Sequence, residues 1–208
     1  MMNIVTEVTS LIGVTVLLVA FLLLTESYMH SLIDLIAFQS ILIGVIIGLV
    51  GWQERIAELM ILAGITIVFR ALIIPWILQR DIRNERIWRN REIKTTHHAI
   101  VVGLTVAVLA YFLYVPVYKV TGDWDGVIPF VLLFLSMLII VARRNALAQV
   151  IGYVSEENAL LYLAVMLTPM PMILEFGILL DMIAFVLLAV VLGAEKRYGP
   201  VEVEELVG

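Results

Sequence analysis

There is no cysteine anywhere in the 208 residues. That excludes a disulfide framework, a thiolate nucleophile and an iron–sulfur site of the chain's own. Charge is scarce too. Asp, Glu, Lys and Arg make up 15% of the chain, where ordinary soluble domains carry roughly a quarter. No glycine-rich nucleotide loop, nucleophile elbow or metal motif is present. His97 and His98 stand side by side, without the carboxylates or cysteines that would make them metal ligands. We therefore expect no metal, no cofactor and no redox chemistry from this chain alone. The start, MMNIVTEVTS, has no basic region. It is not read as a cleavable signal, and the apolar run after it reads as a first membrane span.

What is present is apolar sequence: 62% of residues are hydrophobic and the mean hydropathy is +1.08. The charges are clumped, with long runs between them almost free of charge. This pattern predicts an all-α integral membrane protein, because a helix of about 20 apolar residues crosses about 30 Å of hydrocarbon. About seven transmembrane helices are expected, near residues 8–25, 31–51, 56–79, 98–118, 126–142, 146–168 and 171–193. Short breaks at ESYMH (26–30) and TPMP (168–171) separate neighbours. The net charge of −5 says little, since placement of charge matters more than its sum in a membrane protein.

Placement gives an orientation. The loop after the third span carries Arg80, Arg83, Arg86, Arg89, Arg91 and Lys94. Arg143 and Arg144 stand between the fifth and sixth spans, and Lys196 and Arg197 end the seventh. With seven spans, these groups share one side. The positive-inside rule then puts the N-terminus outside and the C-terminus in the cytoplasm. Trp52, Trp76 and Trp124 fall near span ends, where amphipathic rings prefer to sit. Arg80, Arg83, Arg86 and Arg89 recur every three residues. Such a basic stripe suits an interfacial helix that docks lipid headgroups or a cytoplasmic partner.

The second and sixth spans resemble each other. SLIDLIAFQS (31–40) lies over ALAQVIGYVS (146–155), with Leu32/Leu147, Ile36/Ile151 and Ser40/Ser155 identical. Glu58, Ile61 and Leu62 then match Glu175, Ile178 and Leu179. The chain reads as a parallel repeat: a three-span copy over 1–79, a basic loop and connector span over 80–125, and a second three-span copy with a short acidic tail over 126–208. The copies differ in charge. Glu156 and Glu157 stand where the first copy has Ile41 and Leu42, and Asp181 where it has Gly64. Arg70 stands where the second copy has Leu187.

At a rise of 1.5 Å per residue, Glu157 lies about 20 Å from the basic hinge, and Asp181 and Arg70 lie about 15 Å from their own span ends. All three are near mid-membrane, where a charge costs at least about 2.5–3.5 kcal/mol. Such groups face a bundle interior and pair, or take part in ion movement. Two readings are open for each: a relay that exchanges protons, or interhelical glue. Glu157, Asp181 and Arg70 are the stronger functional candidates. Glu156, Glu175, Glu58, Asp34 and Gln39 are weaker, because several of them can reach an interface.

Residues ARRNALAQVIGY followed by EEN, and then EFGILLD in the next span, resemble subunit K (chain 4L) of respiratory complex I. They resemble still more closely component E of hydrogenase-4 and formate hydrogenlyase type membrane-bound complexes. That second resemblance covers nearly the whole chain and includes Arg70 five residues before Pro75. It implies a non-catalytic membrane subunit that couples electron transfer to proton or sodium translocation through buried carboxylates. Glu157 with Asn158 would match the Glu-Asn pair of component E. Asp181 would match the acid of its last span, Glu175 the preceding Glu, and Arg70 a basic position. In subunit K the first glutamate lies about one turn earlier, at the place of Val154, and Glu156 has no counterpart. The partners implied are antiporter-like and quinone-site-like membrane subunits, a peripheral hydrogenase module and lipid, with no nucleic acid. Two alternatives share these features: a subunit of a multisubunit cation/proton antiporter, and a structural membrane scaffold with no ion path.

Overall fold

A computed structural model describes residues 4–84, 99–143, 145–167 and 173–197. The described residues are all-helical. Helix α1 spans Ile4–Thr25, α2 Met29–Glu54 and α3 Ala57–Thr66. A π-helical segment, Ile67–Ile73, joins α3 to α4 at Ile74–Asn84. Then follow α5 (Ala99–Thr121), α6 (Val127–Ala142), α7 (Ala146–Leu167) and α8 (Ile173–Arg197). Five of these stretches are long and apolar enough to cross a membrane: Val5–Thr25, Met29–Glu54, Ala57–Arg80, Ala99–Thr121 and Ala146–Leu167. Val127–Ala142 is apolar but shorter. The protein is thus built as a membrane-compatible helical bundle.

The turns are held by local chemistry. Between α1 and α2, the Glu26 carboxylate accepts hydrogen bonds from the backbone N–H groups of Ser27 and Tyr28, at 2.8 and 3.0 Å. After α2, Arg55 adopts the left-handed conformation with φ 58° and donates its N–H to the Gly51 carbonyl. Before α7, Asn145 accepts from the N–H groups of Leu147 and Ala148 at 2.9 and 3.3 Å. It is therefore the N-cap of α7, which gives the Arg-Arg-Asn hinge a physical role.

Pro75 explains the π segment. It stands in the second position of α4, has no N–H to donate, and crowds the carbonyl four residues earlier. The turn before it widens, and the N–H of Ile74 bonds five residues back to Phe69. Ala57–Asn84 remains one continuous rod, but a single extra residue per turn re-aims the side chains within it.

Packing follows a pattern. Adjacent helices α1/α2, α2/α3, α5/α6, α6/α7 and α7/α8 pack on one another, and α1 also meets α6, α2 meets α7, and α3 meets α8. The apolar core is in two parts. One holds Leu23, Leu32, Ile36, Ile74, Ile139, Val154 and Ala184. The other holds Val16, Ile43, Leu62, Ala63, Leu135, Ala159 and Leu180. Between them, on α2, the α3–π–α4 rod, α6, α7 and α8, lies a layer of buried polar side chains.

Candidate functional site

The polar layer can be followed along each element. On α2, Gln39 and Ser40 fall between Ile36 of one core and Ile43 of the other. On the α3–π–α4 rod, Thr66 and Arg70 fall between Ala63 and Ile74. Ser136 separates Leu135 from Ile139 on α6. Ser155, Glu157 and Asn158 separate Val154 from Ala159 on α7, and Asp181 separates Leu180 from Ala184 on α8.

Arg70 is the centre of this layer and is 0% exposed. Its Nε donates to Asp181 Oδ1 at 2.6 Å. Its Nη1 donates to Asn158 Oδ1 at 3.3 Å. Its Nη2 lies 3.6 Å from Glu157 Oε2, an ion pair without a close hydrogen bond. Asn158 passes the network on: its Nδ2 donates to Ser40 Oγ at 2.9 Å, and Ser40 donates in turn to the Ile36 carbonyl. A second link, Ser136 to Ser155 at 2.7 Å, ties α6 to α7 in the same layer. The guanidinium fork suits this task, since its donors diverge in one plane toward several acceptors.

One cation faces two carboxyls. With both ionised, the cluster carries a net −1, inside an apolar bundle. The two acids are not equivalent. Asp181 holds the short hydrogen bond to Arg70. Glu157 is 1% exposed, and among the described residues neither of its oxygens makes a well-formed hydrogen bond. Tyr153, one turn back on α7, lies beside it. Gln39, Thr66 Oγ1 and Asp181 Oδ2 are also buried without a hydrogen-bond partner among the described residues. The layer is therefore polar well beyond its own internal bonding.

The structure sorts the sequence candidates. Arg70, Glu157, Asn158 and Asp181 come together. Glu156 points away and is half-buried. Glu175 and Glu58 are exposed and stand outside the cluster. Asp34 is exposed and accepts from Gln79 Nε2 at 3.1 Å, near one end of the bundle. Arg80 is exposed on α4, with its guanidinium 5.5 Å from the Trp76 ring centroid. Arg83 also stands on α4. Arg86, Arg89, His97, His98 and the 168–171 break lie outside the described residues.

Sequence reasoning missed a second buried arginine. Arg143 counted only as a loop charge, yet it is 3% exposed. Its Nη2 donates to the carbonyls of Leu23, Leu24 and Glu26 at 2.7, 3.0 and 2.7 Å. It thus caps the C-terminus of α1, where a cation meets the negative end of the helix dipole. The Asn145 N-cap and the Arg143 clamp sit on the same hinge, so that hinge fixes three helices. At the opposite end of the bundle, a cavity of about 390 Å³ is lined by Thr6, Gln53, Glu54, Trp124, Asp125 and Tyr162, among others. Partial burial, and then the neighbouring Asp123, push the Asp125 carboxyl above the usual carboxylate range.

Comparison with known proteins adds one distant relative. Rv0085, an uncharacterized protein of Mycobacterium tuberculosis, is 24% identical over 188 residues, which cover 86% of this chain and 84% of that one. No family profile matches the chain, and no solved structure matches it.

Proposed function

We propose that the protein is a non-catalytic membrane subunit of a membrane-bound hydrogenase or formate hydrogenlyase type complex, and that its buried polar layer relays charge as that complex moves protons or sodium ions. The observation that carries this reading is the charge count. A single guanidinium sits between two carboxyls at mid-bundle, and a cluster of that kind is one cation short of neutrality. Glu157, which lacks the short bond that Asp181 has, is the acid that takes and releases the compensating proton or cation. Arg70 cannot shuttle a proton. It holds Asp181 and Asn158 in place and sets the local field. The resemblance of ARRNALAQVIGY, EEN and EFGILLD to component E points the same way.

In this reading the chain crosses the membrane seven times, with its N-terminus outside and the Arg80–Lys94 loop facing a cytoplasmic partner or lipid headgroups. Its two three-span copies pack as parallel repeats. The contacts α1/α6, α2/α7 and α3/α8 support this, since each helix meets its counterpart in the other copy. Antiporter-like and quinone-site-like membrane subunits and a peripheral hydrogenase module are the partners.

The test is ion movement per electron in the assembled complex after Glu157→Gln and Asp181→Asn. The relay predicts that transport falls toward background while the complex stays assembled. Unchanged coupling in an intact complex would leave the layer as structural glue.

A further inference from the structure

Glu156 has no place in the cluster, and its surroundings raise a separate question. It lies ten residues after Ala146 and eleven before Leu167, at the midpoint of α7. That is about 15 Å from either end of the helix. Yet it is not buried in the protein: Gln149 is exposed, and Tyr153, Glu156, Leu160, Leu163 and Leu167 are half-buried. Their spacing of three and four residues puts them on one outward face.

Other helices turn apolar faces outward, as lipid requires. On α1 these are Leu11, Val14, Leu18 and Leu22, and on α8 Leu179, Met182, Val186 and Val190. Only α7, among the described residues, carries a carboxyl at the middle of such a face. Among the described residues, none pairs with it as a counter-charge. Arg70 is engaged by Glu157 and Asp181, and Arg143 by the α1 carbonyls. Acyl chains cannot solvate a carboxylate at this depth, and an ionisable residue within a span faces protein or water.

We propose that the outward face of α7 docks a membrane helix of a different subunit, and that this helix presents a lysine or arginine to Glu156. Charge complementarity selects the occupant. A second copy of the chain, paired through the same face by a two-fold axis, would bring one Glu156 toward the other. Like charges at low dielectric oppose that arrangement. A helix with a basic residue at mid-span neutralises Glu156, and its apolar residues can cover Leu160, Leu163 and Leu167. The Gln149 amide, whose Nε2 donates to the Arg143 carbonyl at 2.8 Å, keeps its oxygen for a polar contact toward the α7 N-terminus. This docking stands whether or not Glu157 relays charge.

The absence of cysteine gives a direct test. Leu160→Cys, in otherwise unchanged protein in its native membranes, is labelled with a photoactivatable benzophenone maleimide. Val108→Cys, on the exposed face of α5, is the lipid-facing reference. We expect Leu160→Cys to give one adduct with a different membrane protein, joined at a peptide with Lys or Arg within a helical turn. Glu156→Lys should lower the adduct at least tenfold. Changing the partner's basic residue to Glu should restore it. Glu156→Gln keeps the side-chain shape and should lower the adduct several-fold, and it serves if the Lys variant fails to accumulate. An adduct with lipid alone, an adduct with a second copy, a joined peptide without a basic residue, or a yield indifferent to Glu156→Gln would each overturn the proposal.

Discussion

Arg70 presents the sharpest energetic asymmetry in the protein. The guanidinium is fully buried, and both of its acids are buried beside it. Removing one partner of a buried ion pair leaves an uncompensated charge and costs about 3–5 kcal/mol, whereas removing all the charges together is often neutral. Arg70→Met alone should therefore destabilise the protein by about that amount. Arg70→Met combined with Glu157→Gln and Asp181→Asn should recover most of the loss. Thermal melting of the detergent-solubilised protein, read for the single and triple variants, checks both. Equal losses in the two would mean that packing of the Arg70 stem, and not its charge, sets its weight. Arg70, Glu157 and Asp181 were legible as single residues because charge inside an apolar run is conspicuous. Their mutual pairing was not, since residues 70 and 181 are joined only by the fold. Arg143 was hidden for the opposite reason: a cation at a hinge matches the ordinary pattern of a solvated loop charge, and nothing local signals that it reaches the end of α1.

At the scale of the elements, close helix contacts are made at glycine. A Cβ on Gly152 of α7 would stand 2.9 Å from Ile140 Cγ1 and 3.1 Å from the Ile140 backbone nitrogen on α6. The backbone cannot give way there as a flexible side chain can. Gly64 on α3 has nothing within 4 Å of the same position. Alanine removes the entropic cost of a helical glycine, about 0.8–1 kcal/mol. Gly64→Ala should thus be neutral or stabilising by up to about 1 kcal/mol. Gly152→Ala should instead destabilise by about 1–3 kcal/mol, the range for overpacking. It should also strain the Ser136–Ser155 contact nearby. Melting temperatures of the two variants, compared with each other, test the argument, and a stabilised Gly152→Ala would refute it. Helix positions were legible because apolar runs of span length leave little choice of structure. The π segment was half-legible: Pro75 announces a disturbed turn, but whether the rod kinks or widens depends on packing against α2 and α8. The rod widens, and that sets the direction in which Arg70 points.

The whole molecule is asymmetric from end to end. Arg143, its carbonyl acceptors on α1 and the start of α7 share one end, and Arg80 on α4 belongs to that end as well. The opposite end carries a cavity lined by Glu54 and Asp125 among others, with Asp123 beside Asp125 and Trp124 stacked on Tyr118 at a centroid distance of 4.2 Å. Basic residues are retained on the cytoplasmic side during insertion, while acidic ones contribute little. In the orientation we propose, the basic end faces the cytoplasm, and α2 runs from inside at Met29 to outside at Glu54. His30 and Gln53 stand near its two ends and both are exposed, so they report the direction of one helix without touching the polar layer. In the cysteine-free protein, a membrane-impermeant maleimide added to intact cells should label Gln53→Cys and leave His30→Cys unlabelled until the membrane is opened. The reverse pattern would invert the molecule and place the arginine-rich loop outside, where a cytoplasmic partner could not reach it. Equal labelling of both sites in intact cells would mean that α2 does not separate two compartments, and the polar layer could not then lie at mid-membrane.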